Sequence, residues 1–76
     1  MKEKVIEVIS KILAIEVEEI KTTDSLTDLG CDSLDFIEII VDVEHECGVT
    51  ISDPEAEKVK TVQDLVNVVE SLVSNK

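Results

Sequence analysis

Leu29-Gly30-Cys31-Asp32-Ser33-Leu34-Asp35 is the stretch on which the rest of the chain turns. A glycine frees the backbone, an acid follows where a helix would start, and a serine falls in the first turn. Behind it runs the longest apolar-periodic segment of the sequence, Leu34 to Cys47. Asp32 is expected as the N-cap, with Asp35 three residues later at the position of a capping-box partner. Both acids favour the positive end of the helix dipole. A hydroxyl placed there is exposed, and helix N-terminal N–H groups suit a phosphate. Ser33 is therefore read as the carrier of a phosphate-linked group, although serine in a first turn also serves simply to start helices.

The same helix should end near Cys47, with Gly48 as its stop. It carries two apolar stripes. At 100° per residue Phe36, Ile39, Ile40, Val43 and Cys47 share one face, a core stripe. Leu34, Ile37 and Val41 lie near the opposite face, beside Glu38 and His45. Such a helix is either buried on two sides or presents a docking surface of small apolar patches ringed by acids. The second reading is expected, because a chain of 76 residues has little material to cover both faces.

On either side the pattern is helical. Val5, Val8, Ile9, Ile12 and Leu13 predict a first helix over Lys2–Ala14. Ile15–Ile20 reads as a turn with short irregular structure. Lys21–Cys31 is a long polar connection of turn-forming residues, with Leu26 and Leu29 plugging it onto the core. Val49-Thr50-Ile51 is an extended crossing. Asp53-Pro54 opens a short helix, with Asp53 as N-cap and proline in its favoured first position. Thr61-Val62-Gln63-Asp64 has capping-box spacing and starts a last helix with Val62, Leu65, Val66, Val69, Leu72 and Val73 on its apolar face. Ser74-Asn75-Lys76 should fray. The fold class is all-α: a small single-domain bundle (1–76) of three main helices and one short one, with a long loop between helices one and two.

Charge narrows the function. Thr22–Glu57 holds eleven acids and no Lys or Arg, whereas the flanks balance seven lysines against seven acids. The net charge of −11 lies in that middle span. Such a surface repels nucleic acid and attracts basic proteins. No apolar run approaches membrane-spanning length and nothing near Met1 has the layout of a targeting peptide, so a cytoplasmic location without membrane contact is expected, and a mature organellar form with its leader removed would look the same; a monomer is expected. Catalysis is poorly supported. His45 lies more than three helical turns from Ser33 and cannot serve as its base. No nucleotide loop, zinc motif or EF-hand pattern is present, and neither a catalytic nor a metal site is expected. Cys31 and Cys47 stand at opposite ends of one predicted helix, roughly 20 Å apart, too far for a disulfide.

Leu29-Gly30-Cys31-Asp32-Ser33-Leu34-Asp35 followed by Ile37-Glu38 resembles the attachment motif of acyl carrier proteins. The resemblance extends to Val5–Leu13, Asp53–Lys58 and Thr61–Leu65, nearly the whole chain. It implies phosphopantetheine esterified to Ser33 by a phosphopantetheinyl transferase, with Asp32 and Leu34 beside the arm and Asp32 and Asp35 positioning the transferase. It implies acyl groups carried as thioesters and handed to basic-faced enzymes of fatty-acid synthesis. Leu34, Asp35, Ile37, Glu38, Val41, Asp42 and Glu44 would make up the partner face. Cys31, Phe36, Val41, His45 and Cys47 depart from the common pattern, which touches pocket shape and docking face but leaves the attachment chemistry alone. Polyketide, aminoacyl or cell-wall cargo, or an arm-less acidic interaction module, are the alternatives.

Overall fold

The computed structural model describes residues 2–74. Its helices are α1 (Lys2–Leu13), α2 (Ser33–Cys47), α3 (Asp53–Glu57) and α4 (Val62–Ser74), with a single 3₁₀ turn over Val17–Glu19. Asn75 and Lys76, expected to fray, lie outside the described residues; Ser74 is still helical.

The apolar spacing of each long helix becomes its buried stripe. Val5, Ile6, Val8 and Ile9 of α1, Ile39, Val43 and Cys47 of α2, and Val62, Leu65, Val66 and Val69 of α4 form one core. Ile20, Leu26, Val49, Ile51 and Val59 close it from the connections. The core is built almost wholly of Val, Ile and Leu, and no buried side-chain polar atom among the described residues lacks a hydrogen bond.

The helix ends show which local signals won. Helix α1 stops one residue earlier than the periodicity predicts. Ala14 turns left-handed at φ 56°, and Ile15 N–H bonds back to Ser10 C=O at 3.1 Å. Helix α2 ends the same way, with Gly48 at φ 66° and Val49 N–H on Glu44 C=O at 3.1 Å. The two endings share one motif, but alanine bears a steric cost there that glycine does not. At α3 the cap is Ser52, not Asp53. Ser52 has Glu55 three residues on, and the pair closes a full capping box, whereas the residue three beyond Asp53 is the apolar Ala56. At α4 the expected box forms: Asp64 N–H donates to Thr61 Oγ1 and Thr61 N–H to Asp64 Oδ2, both at 3.1 Å. Lys60 N–H adds a second bond to Asp64 Oδ2 at 3.0 Å. These backbone donors hold the Asp64 carboxyl below the usual carboxylate range.

The long connection between α1 and α2 is stitched down rather than loose. Leu26 is buried and Leu29 packs against the core, as their spacing suggests. The backbone also pairs with the start of α4: Leu26 N–H on Lys60 C=O, Val62 N–H on Asp24 C=O, Gln63 N–H on Thr22 C=O, and an antiparallel bridge between Ser25 and Thr61. Strand-like pairing therefore fixes the segment that delivers the chain to Ser33.

Candidate functional site

Ser33 is the first residue of α2 and is exposed. Asp32 is the N-cap, as expected; its Oδ1 accepts Asp35 N–H at 2.8 Å and its carbonyl accepts Phe36 N–H at 2.9 Å. Only this half of the predicted box forms, since the Asp35 carboxylate makes no return bond to Asp32 N–H. The amides of Ser33 and Leu34 have no protein acceptor among the described residues. An exposed hydroxyl and two unused N–H donors thus meet at the positive end of a fifteen-residue helix. That combination suits a phosphoryl group on the serine oxygen.

The approach to Ser33 is shaped by tight turns. Leu29 N–H bonds to Ser25 C=O, Gly30 N–H to Thr27 C=O and Cys31 N–H to Leu26 C=O. Gly30 sits at φ 94°, a conformation that L side chains rarely adopt; the space around it is open, so backbone strain alone favours glycine. Cys31 is half-buried and its thiol donates to Asp32 C=O at 3.5 Å. Burial raises its pKa first, and the negative charges of Asp35 and Asp32 add to the shift, so the thiol stays protonated at neutral pH. Cys31 and Cys47 are both free thiols.

A cleft of about 560 Å³ opens beside Ser33, between the start of α2, the 25–27 turns and the 59–60 segment. Phe36 and Ile37 line it and also line a second cleft of about 420 Å³ between α2 and α3, walled by Ile40, Val41, Ile51 and Ala56. Phe36 is therefore not a simple core residue. It is half-buried and forms a wall common to both clefts.

The outer stripe of α2 is open. Leu34, Ile37 and Val41 are 72%, 58% and 55% exposed, while Ile39 and Val43 on the inner face are 0% exposed. Glu38 is exposed between them. The other acids assigned to this face differ in their engagements. Asp35 is half-buried beside the cap. Asp42 pairs with Lys11 of α1 at 3.3 Å. The Glu44 carboxylate accepts Ile51 N–H at 2.6 Å and braces the crossing against α2. His45 is exposed at the far end of α2 and does not meet Ser33. Ser25, Thr27 and Lys60, which share the cleft with Ser33, were invisible to sequence reasoning, because backbone pairing across 36 residues brings them there. Among the described residues no cluster of His, Cys, Asp and Glu is arranged to hold a metal ion.

Comparison with known proteins bears on this geometry. Residues 3–69 match the phosphopantetheine attachment site family. The acyl carrier protein of Buchnera aphidicola subsp. Schizaphis graminum is 44% identical over 70 residues, covering 91% of this chain and 89% of that protein. The acyl carrier protein of Clostridium acetobutylicum is 44% identical over 70 residues, with 91% of each covered. Acyl carrier protein 3, chloroplastic, of Cuphea lanceolata is 38% identical over 74 residues; the match takes in 96% of this chain and about half (52%) of that longer relative.

Proposed function

The chain belongs to the phosphopantetheine attachment family of acyl carriers, and from that premise we propose that Ser33 is its attachment serine and that the cargo is acyl intermediates of fatty-acid synthesis. The observation that carries this reading is an exposed hydroxyl at the first position of α2, next to two amides without a protein acceptor. In the loading step the Ser33 oxygen attacks the β-phosphorus of coenzyme A. A P–O bond forms to serine, the pyrophosphate bridge breaks, and adenosine 3′,5′-bisphosphate leaves. The serine proton passes to a base of the phosphopantetheinyl transferase. Asp32 and Leu34 border the phosphate; Asp32 and Asp35 face the transferase.

The protein then acts as a tether and not as a catalyst. A flexible arm keeps its thioester at high effective concentration near a docked enzyme. Docking falls to Leu34, Ile37 and Val41, with Glu38 and Asp35 supplying the charge that draws in a basic partner. Asp42 contributes through a weak, exposed ion pair that a partner cation can replace. Glu44 acts mainly as a brace, holding the crossing behind the face. No helix among the described residues is long and apolar enough to cross a membrane.

The test is loading. Coenzyme A, magnesium and a phosphopantetheinyl transferase should add one arm by intact mass, and Ser33→Ala should take none. An arm retained by Ser33→Ala refutes the site. Mass spectrometry of the protein from its host, with ejection of the thioester cargo, should release fatty acyl groups. Polyketide, aminoacyl or cell-wall cargo overturns the pathway, and a protein without any arm overturns the carrier reading.

A further inference from the structure

A phosphodiester on Ser33 would bring a negative charge into a strongly acidic neighbourhood. Asp32 precedes it, Asp28 and Asp35 are close in sequence, and no Lys or Arg occurs from Thr22 to Glu57. The helix amides offer only partial positive charge. One full cation lines the same cleft as Ser33, and it comes from the far side of the fold: Lys60. Lys21 and Lys58, which flank the acidic span in sequence, line neither of the two larger clefts.

Taking Ser33 as the attachment point, we propose that Lys60 is the cation on which the arm's phosphodiester rests, so that the proximal arm lies across this cleft toward the 25–27 turns. The backbone of Lys60 is fixed for the task. Its N–H donates to Asp64 Oδ2 at 3.0 Å, its C=O accepts Leu26 N–H at 3.0 Å, and the adjoining Thr61 bridges to Ser25. Lys60 itself is exposed and forms no ion pair within 4 Å among the described residues, although its charge reaches Asp64. An exposed ammonium thus hangs from a backbone clamped to the very loop that ends at Ser33.

The rest of the lining offers partners for the arm's other groups. After the phosphate comes a carbon with two methyl groups, and Phe36 and Val59 supply apolar wall. Beyond it the arm has a hydroxyl and two amides, and Ser25 and Thr27 supply hydroxyl partners. A volume of about 560 Å³ falls in the range of small-molecule sites. Lys60 would then bias the arm between lying in the cleft and reaching outward to an enzyme, by an attraction that salt weakens.

The experiment is NMR on the full chain, before and after loading, with intact mass confirming one arm per molecule. In the unsubstituted protein, loading should shift the amides of 25–27 and 59–61 as well as those of 32–37. The arm's geminal methyls should show NOEs to Val59 and Phe36. Lys60→Gln and Lys60→Glu should each weaken those NOEs by about threefold, the scale of an exposed ion pair, while Lys60→Arg retains them. Spectra before loading show whether each variant keeps the fold. Independently of any variant, about 0.5 M salt should cut the NOEs of the unsubstituted protein by about twofold, since screening then acts within a few ångströms. A loaded protein whose shifts stay within 32–37, or whose NOEs ignore both Lys60→Glu and salt, overturns the role of Lys60 and leaves the attachment intact. Failure of the arm to join Ser33 at all overturns both.

Discussion

The two faces of α2 are made of similar side chains and meet opposite surroundings. Ile39 and Val43 point inward with 0% exposure; Leu34, Ile37 and Val41 point outward and stay more than half exposed. The inner face meets α1 and the wider core, while nothing among the described residues covers the outer one. Hydrophobicity alone therefore does not decide where a residue contributes. The inner stripe removes apolar area from water on folding. On the proposed docking role, the outer stripe leaves that gain to be realised when a partner arrives, a use that fits a small apolar patch ringed by acids.

The sharpest way to break this contrast is to truncate one residue from each face. Ile39→Ala should destabilise by about 2–5 kcal/mol, the range for removing a buried branched side chain. Thermal or urea unfolding reads it directly. Leu34→Ala should stay within about 0.5 kcal/mol of the parent, as exposed substitutions do, yet lower kcat/KM for transfer to a partner enzyme by about fivefold, the effect of losing an interface contact worth about 1 kcal/mol. Equal stability losses at the two positions would mean that the outer stripe is part of the core. A stable Leu34→Ala protein with unchanged transfer would mean that the outer stripe is not used for docking.

How the sequence foretold this division is itself instructive. Helical spacing separated the two stripes of α2 correctly, because 3.6-residue periodicity is a local property. Asp32 and Thr61 were legible as caps for the same reason. Ser52 was overlooked because Ser-Asp-Pro offers two adjacent caps, and the deciding residue is Glu55. Ala14 hid the end of α1, since alanine seldom goes left-handed. Ser33 is legible from its local motif alone. What surrounds it is not, because the cleft depends on residues 22–26 pairing with 60–63, and no local pattern encodes that partnership. Glu44 was assigned to the partner face by the family resemblance, but its carboxylate turns back to an amide seven residues on.

Charge gives a second, smaller test of the outer face. Glu38 is exposed, lies between Leu34 and Val41 in sequence, and its carboxylate makes no hydrogen bond or ion pair with another described residue. Glu38→Lys should leave the melting temperature nearly unchanged and reduce transfer by about three- to tenfold at low salt, with the difference shrinking as salt rises. A deficit that persists unchanged at high salt would place the effect in shape and not in charge. Unchanged turnover at low salt would remove Glu38 from the docking face.

The smallest expected effect separates the two cysteines along the same inside–outside line. Cys47 lies on the inner stripe and is buried; Cys31 is half-buried at the turn before Ser33. Only Cys31 is close enough to the surface to be alkylated without unfolding. Its pKa is raised, first by burial and then by the charges of Asp35 and Asp32, so the thiolate fraction at pH 7 is below that of a free thiol. Iodoacetamide should therefore modify Cys31 more slowly than a small free thiol at pH 7, with the rate rising as pH increases. Asp35→Asn removes a like charge but keeps the amide that Asp32 caps. It should accelerate the reaction modestly, since burial remains. Alkylation of Cys47 should appear only with unfolding, so Ile39→Ala, which loosens the inner face, should speed it while Leu34→Ala should not. Equal acceleration by both variants would show that the two faces of α2 are not energetically distinct.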